Sequence, residues 1–306
     1  MKIALVGIGK IAVDQHVPAI ANSDDWELAA TVSRSGTVDG VPTYKDIETM
    51  LAENPEIEVV SLCLPPVPRF AYARAALCAG RHVMLEKPPG ATLAEVHALQ
   101  DLARAQGQTL FATWHSRMAR GVAQAKAFLA GKSVTKGHIT WKEDVRRWHP
   151  GQDWVFAPGG MGVFDPGINA LSILTEVLPA PVHLQDATLE VPENCQTPIA
   201  ARLTFTDRIT ADFDWRQEGP QSWDMWIEAA DHRIELQMGG SKIFIDGVDV
   251  TANASGTSLL GEYPALYAHM AKLVKSGASD VDLSPMIHVS DAMTLGKRVS
   301  VSAFDM

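Results

Sequence analysis

Lys2-Ile3-Ala4-Leu5-Val6-Gly7-Ile8-Gly9-Lys10-Ile11-Ala12 opens the chain, and its reading decides the fold. Ile3–Val6 is a short apolar run, right for a buried parallel strand. Gly7-Ile8-Gly9-Lys10-Ile11-Ala12 then fits G-x-G-x-x-A, the turn that cradles a dinucleotide. Gly7 makes the tight turn out of the strand, Gly9 lets a pyrophosphate approach the backbone, and Ala12 lets the next helix pack on the strand. The helix start offers N–H donors and a positive dipole end to the anion. A plain strand–turn–helix is the competing reading. The motif's place after a strand and before a helical pattern favours the dinucleotide.

Outward from this turn, strands and helices alternate. Ile11–Ala21 reads as a helix that Pro18 breaks or kinks, and Leu28–Val32 as the second strand. Lys45–Asn54 is an amphipathic helix, and Glu58–Leu64 a strand ended by Pro65-Pro66. Arg69–Ala79 is a helix closed by Gly80, and His82–Leu85 a strand. Thr92 and Glu95 form a capping box for a helix to about Gln106, and Thr109–Thr113 is a strand. This alternation predicts an α/β fold with a doubly wound parallel sheet.

After about residue 120 the pattern changes. Gly121–Ala130 is helical and Thr135–Glu143 alternates. Strand-like runs follow at Leu184–Val191, Ile199–Phe205, Ile209–Trp215, Met225–Ala229, Arg233–Gln237 and Lys242–Ile245. Strands without intervening helices imply an antiparallel sheet. Glu262–Lys275 and Pro285–Val299 read as closing helices. The expected domains are 1–118 and 119–306, with room for the last helix to pack back on the first. A length of 306 residues favours two cores over one.

Composition narrows the function class. The chain is 46% hydrophobic and 20% charged, ordinary for a soluble globular protein. A net charge of −10 gives no overall footprint for nucleic acid or an anionic membrane. Cys63, Cys78 and Cys195 lack metal or disulfide spacing and read as reduced thiols of a cytoplasmic protein. No apolar run approaches the roughly 18 residues of a membrane helix. The start imitates a signal peptide through Lys2 and Ala19-Ile20-Ala21. Lys10 and Asp14 interrupt the run, and cleavage would remove the glycine turn. No metal-ligand spacing is present: His115, His149 and Asp165 look too scattered for a site.

Three stretches carry candidate chemistry. Ser33-Arg34-Ser35 follows the second strand, where a dinucleotide fold usually places an acid for the ribose 2′-OH. Here a hydroxyl and a forked cation suit a 2′-phosphate, which favours NADP, with NAD as the lesser alternative. A solvated polar turn is the bland alternative. Glu86-Lys87-Pro88 follows the strand ending at Leu85. Ligands sit at the carboxyl ends of such strands, so Lys87 can reach cofactor or substrate. On this dipeptide alone a surface lysine would be the better reading.

Gly159-Gly160-Met161-Gly162-Val163-Phe164-Asp165-Pro166-Gly167-Ile168-Asn169 is the third. Pro166 fits the first position of a helix to about Val177, which makes Asp165 its N-cap. Asn169 shares the same side of the first turn, and the glycines would let backbone approach a ligand. Seven of the eight tryptophans lie between Trp114 and Trp226, several beside polar groups. Singly each reads as core; as a group they suit a pyranose, with its apolar face and rim of hydroxyls.

With these motifs in place, the whole chain resembles the glucose–fructose oxidoreductase/inositol dehydrogenase family. The resemblance implies an N-terminal Rossmann domain and a C-terminal α/β domain with a large, mostly antiparallel sheet used for oligomerisation, hence a homodimer or homotetramer. Lys87 matches the family's E-K-P lysine. Asp165 to Asn169 matches its D-x-x-x-H helix motif, with an amide in place of the histidine. An amide cannot accept a proton, so that task passes to Lys87 or Asp165. Arg69 stands where relatives often have histidine. The stretches Trp141–His149 and Gly162–Asn169, with Ser33-Arg34, are similar to a narrower group, the bacterial aldose 1-dehydrogenases acting on L-arabinose and D-galactose.

By that resemblance Lys87, Asp165 and Asn169 are catalytic. His115, Glu143, Trp148, His149 and Trp223, with Asp165 and Asn169, are the sugar contacts. Cofactor contacts fall at Gly7, Gly9, Lys10, Ile11, Ser33, Arg34, Leu64, Pro65, Pro66, Glu86 and Lys87. A dehydrogenase for another sugar or inositol, and a sensor without turnover, are the alternatives.

Overall fold

The computed structural model describes residues 1–251 and 261–306. They divide into two compact units. The first holds Met1–His115 together with the helix Glu262–Ser276 and the stretch to Asp282. The second holds the chain from Ser116 onward apart from that insertion, and includes Leu283–Met306. The boundary thus falls at His115. The helix that joins the first unit is Glu262–Ser276, not the chain's last.

The first unit is built on β1 (Lys2–Val6), β2 (Glu27–Val32), β3 (Thr43–Tyr44), β4 (Val59–Leu62), β5 (His82–Leu85) and β6 (Leu110–Ala112). Every pairing is parallel, in the order β3-β2-β1-β4-β5-β6. β4 is buried along its whole length, as a strand covered on both faces must be. The strand order reverses between β1 and β4, so the turns after those strands form the crevice where such sheets bind ligands.

Local signals account for most helices here. Thr92 accepts from the Glu95 N–H at 3.2 Å while the Glu95 carboxylate returns to the Thr92 N–H, the expected capping box. Asp46 caps Ile47–Glu53. Two expectations shift. The helix after β4 starts at Pro66, because proline at a first turn loses no hydrogen bond. The break foreseen at Pro18 is one π turn, Ala12–His16, followed by a short helix with Pro18 in its first turn.

The second unit is built on β7 (Val134–Lys142), β8 (Leu184–Pro192), β9 (Ala200–Phe205), β10 (Ile209–Asp214), β11 (Ser222–Ala229), β12 (His232–Gln237), β13 (Lys242–Ile245), β14 (Val248–Asp249) and β15 (Lys297–Val301). Their order is β14-β13-β12-β11-β7-β10-β9-β8-β15. The sheet is mostly antiparallel, but β7 runs parallel to β10 and β15 parallel to β8. Ile209, Ala211 and Phe213 of β10 are buried while Thr210, Asp212 and Asp214 between them are not, the alternation of a half-covered sheet. Helices Arg120–Leu129, Phe164–Val177 and Ser284–Leu295 pack in this unit. A Cβ on Gly167 would lie 2.9 Å from the Phe213 ring, so that glycine permits close helix–sheet contact.

β15 corrects the sequence reading, which extended the final helix to Val299. The helix stops at Leu295 because Gly296 turns extended. Lys297–Val301 then pairs with Thr188–Pro192. A side chain on Gly296 would collide with Ala292 and Leu189, so this close passage needs glycine.

Candidate active site

In the first unit, the turns after β1 and β4 lie side by side, since those strands pair from Ile3–Val59 to Val6–Leu62. Gly7 has φ +89°, and a Cβ there would lie 2.7 Å from the Leu64 nitrogen. Gly9 is different: a Cβ there would meet nothing within 4 Å. Gly7 is therefore demanded by chain packing, while Gly9 leaves open backbone. That fits a pyrophosphate lying against the turn. Gly36, unmarked by the sequence reading, closes the same region: a Cβ on it would lie 2.1 Å from the Ile8 carbonyl.

The other cofactor candidates divide. Ile11 is 40% exposed, an apolar side chain presented outward from the turn. Lys10 pairs with Asp14 along the surface. Ser33 accepts from the Gly36 N–H at 3.0 Å and so shapes the turn after β2. Arg34 is exposed, and its carbonyl accepts from the Lys45 ammonium at 2.9 Å. Leu64 is buried and Pro65 exposed. Among the described residues no group of histidines, cysteines and carboxylates could hold a metal.

Lys87 is half-buried, directly after β5, and its peptide bond to Pro88 is cis. Glu86 turns inward. Its Oε2 accepts the Lys87 N–H at 2.7 Å. Its Oε1 accepts the Tyr263 hydroxyl at 2.9 Å and faces His16 Nε2 at 3.2 Å. The His16 Nδ1 lies 2.7 Å from the Tyr267 hydroxyl. Burial alone would raise the Glu86 pKa, but the hydrogen bond and charge of His16, with the charges of His115 and Lys87, carry it down to about 2. Burial opposes charge on His16 too, yet Cys63, Tyr267 and Glu86 around the ring hold its pKa well above the ordinary value.

Arg69, whose substitution had no sequence rationale, now has one. It is 2% exposed. Its guanidinium donates to the carbonyls of Leu64, Glu86 and Pro88, tying the loops after β4 and β5 together. The signal was present: on Pro66–Cys78 the buried positions are 66, 69, 73, 76 and 77, so Arg69 stands on the apolar face. His115 also belongs to this unit. Its Nδ1 lies 2.5 Å from Glu262 Oε2 and its ring stacks on Tyr263 at 5.5 Å. Burial disfavours its charge, but the Glu262 carboxylate wins and raises its pKa.

In the second unit, the inward-facing positions of β7, β10 and β11 continue past the strand ends into a polar and aromatic cluster. Glu143 follows β7, Trp215 follows β10, and Trp223 lies on β11 opposite Trp141. The Glu143 carboxylate is 7% exposed and accepts from the indole N–H of Trp215 at 3.1 Å and of Trp223 at 2.8 Å. Trp148 sits 5.9 Å from Trp223, and its indole donates to Gln221 at 2.6 Å. His149 meets the Trp215 ring edge-on at 5.2 Å.

Asp165 departs from its expected role. The helix starts two residues earlier than Pro166, at Phe164, because Val163 is already helical. Asp165 therefore lies inside the first turn, 5% exposed, and does not cap it. Its Oδ2 lies 3.1 Å from His149 Nε2, which unites two residues the sequence reading held too scattered. Asn169 is half-buried one turn further on. Two of the glycines before this helix, Gly160 and Gly162, are demanded by packing. A Cβ on Gly160 would lie 2.4 Å from the Trp154 carbonyl, and on Gly162 2.2 Å from that of Pro198. The tryptophans divide as well. Trp215 is core, Trp223 bonds Glu143 with Trp148 beside it at 5.9 Å, and Trp226 projects from the other sheet face beneath the Arg233 guanidinium, 4.3 Å away.

The arrangement thus offers a cradle for a dinucleotide and a braced lysine in one unit. In the other it offers a carboxylate–imidazole pair beside aromatic faces. Residues 1–113 match the oxidoreductase family with an NAD-binding Rossmann fold that is named for glucose–fructose oxidoreductase and inositol dehydrogenase. The galactose 1-dehydrogenase of Pseudomonas fluorescens is 40% identical over 99% of this chain and 98% of its own. The D-galactose-1-dehydrogenase of Rhizobium etli, a crystal structure, is 53% identical over 99% of this chain and 97% of its own, with a TM-score of 0.93. A 3-ketoreductase of Actinomadura kijaniata, crystallised with NADP, shares the fold at 17% identity and a TM-score of 0.81, covering 98% of this chain and 99% of its own. The chain belongs to the glucose–fructose oxidoreductase/inositol dehydrogenase family of oxidoreductases.

Proposed function

We propose that this protein is an aldose 1-dehydrogenase that prefers NADP and oxidises C1 of D-galactose and L-arabinose, in their pyranose forms, to the 1,5-lactone. The observation that carries the reading is the Asp165–His149 pair at 3.1 Å in the unit whose Trp148 and Trp223 supply aromatic faces. A carboxylate backed by an imidazole can take a hydroxyl proton near neutral pH. Aromatic faces suit the apolar side of a pyranose. The two full-length galactose 1-dehydrogenase relatives support the same substrate class. The two sugars share configuration at C2 to C4 of the ring, so one pocket can take both.

Bound NADP would supply the hydride acceptor, at C4 of its nicotinamide. Gly7, Gly9, Ile11 and the Ser33-Arg34 turn would hold it, with the Arg34 guanidinium on the 2′-phosphate. Lys87 donates a hydrogen bond to the C1 hydroxyl. Asp165 accepts the proton of the C1 hydroxyl, and His149 orients the carboxylate. Asn169 orients the hydroxyl without titrating. Glu143 holds the indoles of Trp215 and Trp223, and His115 contacts the sugar. The protein would work in the cytoplasm, as a homodimer or homotetramer joined through the large sheet.

Initial rates of NADP and NAD reduction across aldoses and inositols test this. The expected result is high kcat/KM confined to galactose and arabinose, with NADP preferred. Activity on inositol alone would discard the aldose assignment. Tight NADPH binding without turnover on any sugar would point to a sensor.

A further inference from the structure

We propose that Tyr263 and His16 are positioning residues for Lys87, acting through the buried carboxylate of Glu86. The inference rests on the proposed role of Lys87 in turnover. Three donors converge on one carboxylate: the Tyr263 hydroxyl and His16 on Oε1, and the Lys87 backbone N–H on Oε2. Arg69 grips the carbonyls of Glu86 and Pro88 from the other side. The Glu86–Lys87 peptide unit is therefore held on both edges and the next turn is pinned at the Pro88 carbonyl, so the side chain leaves from a fixed origin.

The outer members of this cluster are ordered in turn. Tyr267, one helical turn after Tyr263, places its hydroxyl 2.7 Å from His16 Nδ1, which directs Nε2 towards Glu86. The Tyr263 ring stacks on His115 and meets His16 edge-on at 4.9 Å. Trp26 donates its indole N–H to the Tyr267 carbonyl at 3.0 Å and fixes that helix against the unit. Burying a carboxylate, an imidazole and two phenols costs desolvation that an apolar core of equal volume would not. The gain is directional: each bond narrows the orientation of Glu86, and Glu86 narrows that of the Lys87 backbone.

A donor displaced by about 1 Å can cost up to about 100-fold in rate. Removing one of three tethers is expected to cost about tenfold in kcat, with ground-state binding spared.

The test is a double-mutant cycle on the full-length protein with Tyr263→Phe and Lys87→Met. Sugar KM, kcat and NADPH affinity by fluorescence quenching are measured for each variant. Tyr263→Phe keeps both ring contacts and removes one donor. Expected are a kcat about tenfold lower, sugar KM and NADPH Kd within about twofold, and no further loss in the Lys87→Met background. Equal losses in both backgrounds, or a lower Tm with kcat unchanged, would overturn the positioning role alone. Lys87→Met turning over at the parental rate would overturn the role of Lys87 and this inference with it. Should Tyr263→Phe not fold, His16→Gln takes its place in the cycle, with the same outcomes.

Discussion

His149 Nε2 lies 3.1 Å from Asp165 Oδ2, at the first turn of the helix Phe164–Val177. The contact joins a loop histidine to a carboxylate 5% exposed. The His149 Nδ1 faces Gln152 Oε1 at 3.2 Å, which orients the ring.

If Asp165 is the proton acceptor, Asp165→Asn keeps shape and loses basicity. The expected loss in kcat is about 100-fold to 10,000-fold, the range for a removed general base. His149→Gln keeps a donor to Asp165 and is expected to lose less. Steady-state rates at saturating sugar and NADP check both. Parental turnover in Asp165→Asn would remove it from the mechanism.

Arg34 is exposed at the end of β2 with no carboxylate among Ser33-Arg34-Ser35. Arg34→Asp is expected to raise the KM for NADP by about tenfold or more, the worth of one charge-assisted hydrogen bond, while the KM for NAD falls or holds. Rates with each cofactor at fixed sugar decide it. An unchanged ratio would place 2′-phosphate recognition elsewhere.

The Glu86–His16 pair predicts a pH window for stability. The folded pKa of Glu86 is about 2 against an ordinary 4.5, so its contribution is present above 4.5 and is lost as pH falls from there towards about 2. The folded pKa of His16 is raised, so its contribution is full below 6.5 and is lost as pH climbs through the folded value. Thermal melts across pH should fall off on both sides of that window. Glu86→Gln should flatten the acid limb between 4.5 and about 2. An acid limb that keeps its slope in the variant would assign it to other carboxylates.

Gly162 combines φ +55° with a Pro198 carbonyl 2.2 Å from where a Cβ would stand. Gly162→Ala is expected to cost about 2–4 kcal/mol of stability, from backbone strain and overpacking together. It should also displace the start of the Asp165 helix, so kcat should fall with Tm. A melt equal to that of the parent would contradict the close approach.

Most elements of the first unit were readable from short windows of sequence. The glycine turn, the β–α alternation and the Thr92–Glu95 box are each complete within a few neighbouring positions, where periodicity and cap spacing act. The place of Lys87 followed from the same logic, because a residue after a parallel strand lies at the sheet's carboxyl edge wherever the rest of the chain goes. Arg69 was half-readable: its spacing put it on an apolar helix face, but not onto three carbonyls of two separate loops.

Partner choice was not readable. Glu86 meets Tyr263, 177 positions away, and His16, 70 positions away. No local window distinguishes those residues from other histidines and tyrosines. The same holds for Asp165, whose neighbours spell a helix cap until the fold starts the helix two residues early and brings in His149. Strand β15 escaped because its partner is the distant Thr188–Pro192, and Leu189 of that strand supplies the close contact at Gly296. Backbone conformation is set largely by neighbouring residues. Which buried polar groups face each other depends on chain reversals and packing, because a buried charge or hydroxyl must find whatever partner the completed core places within reach.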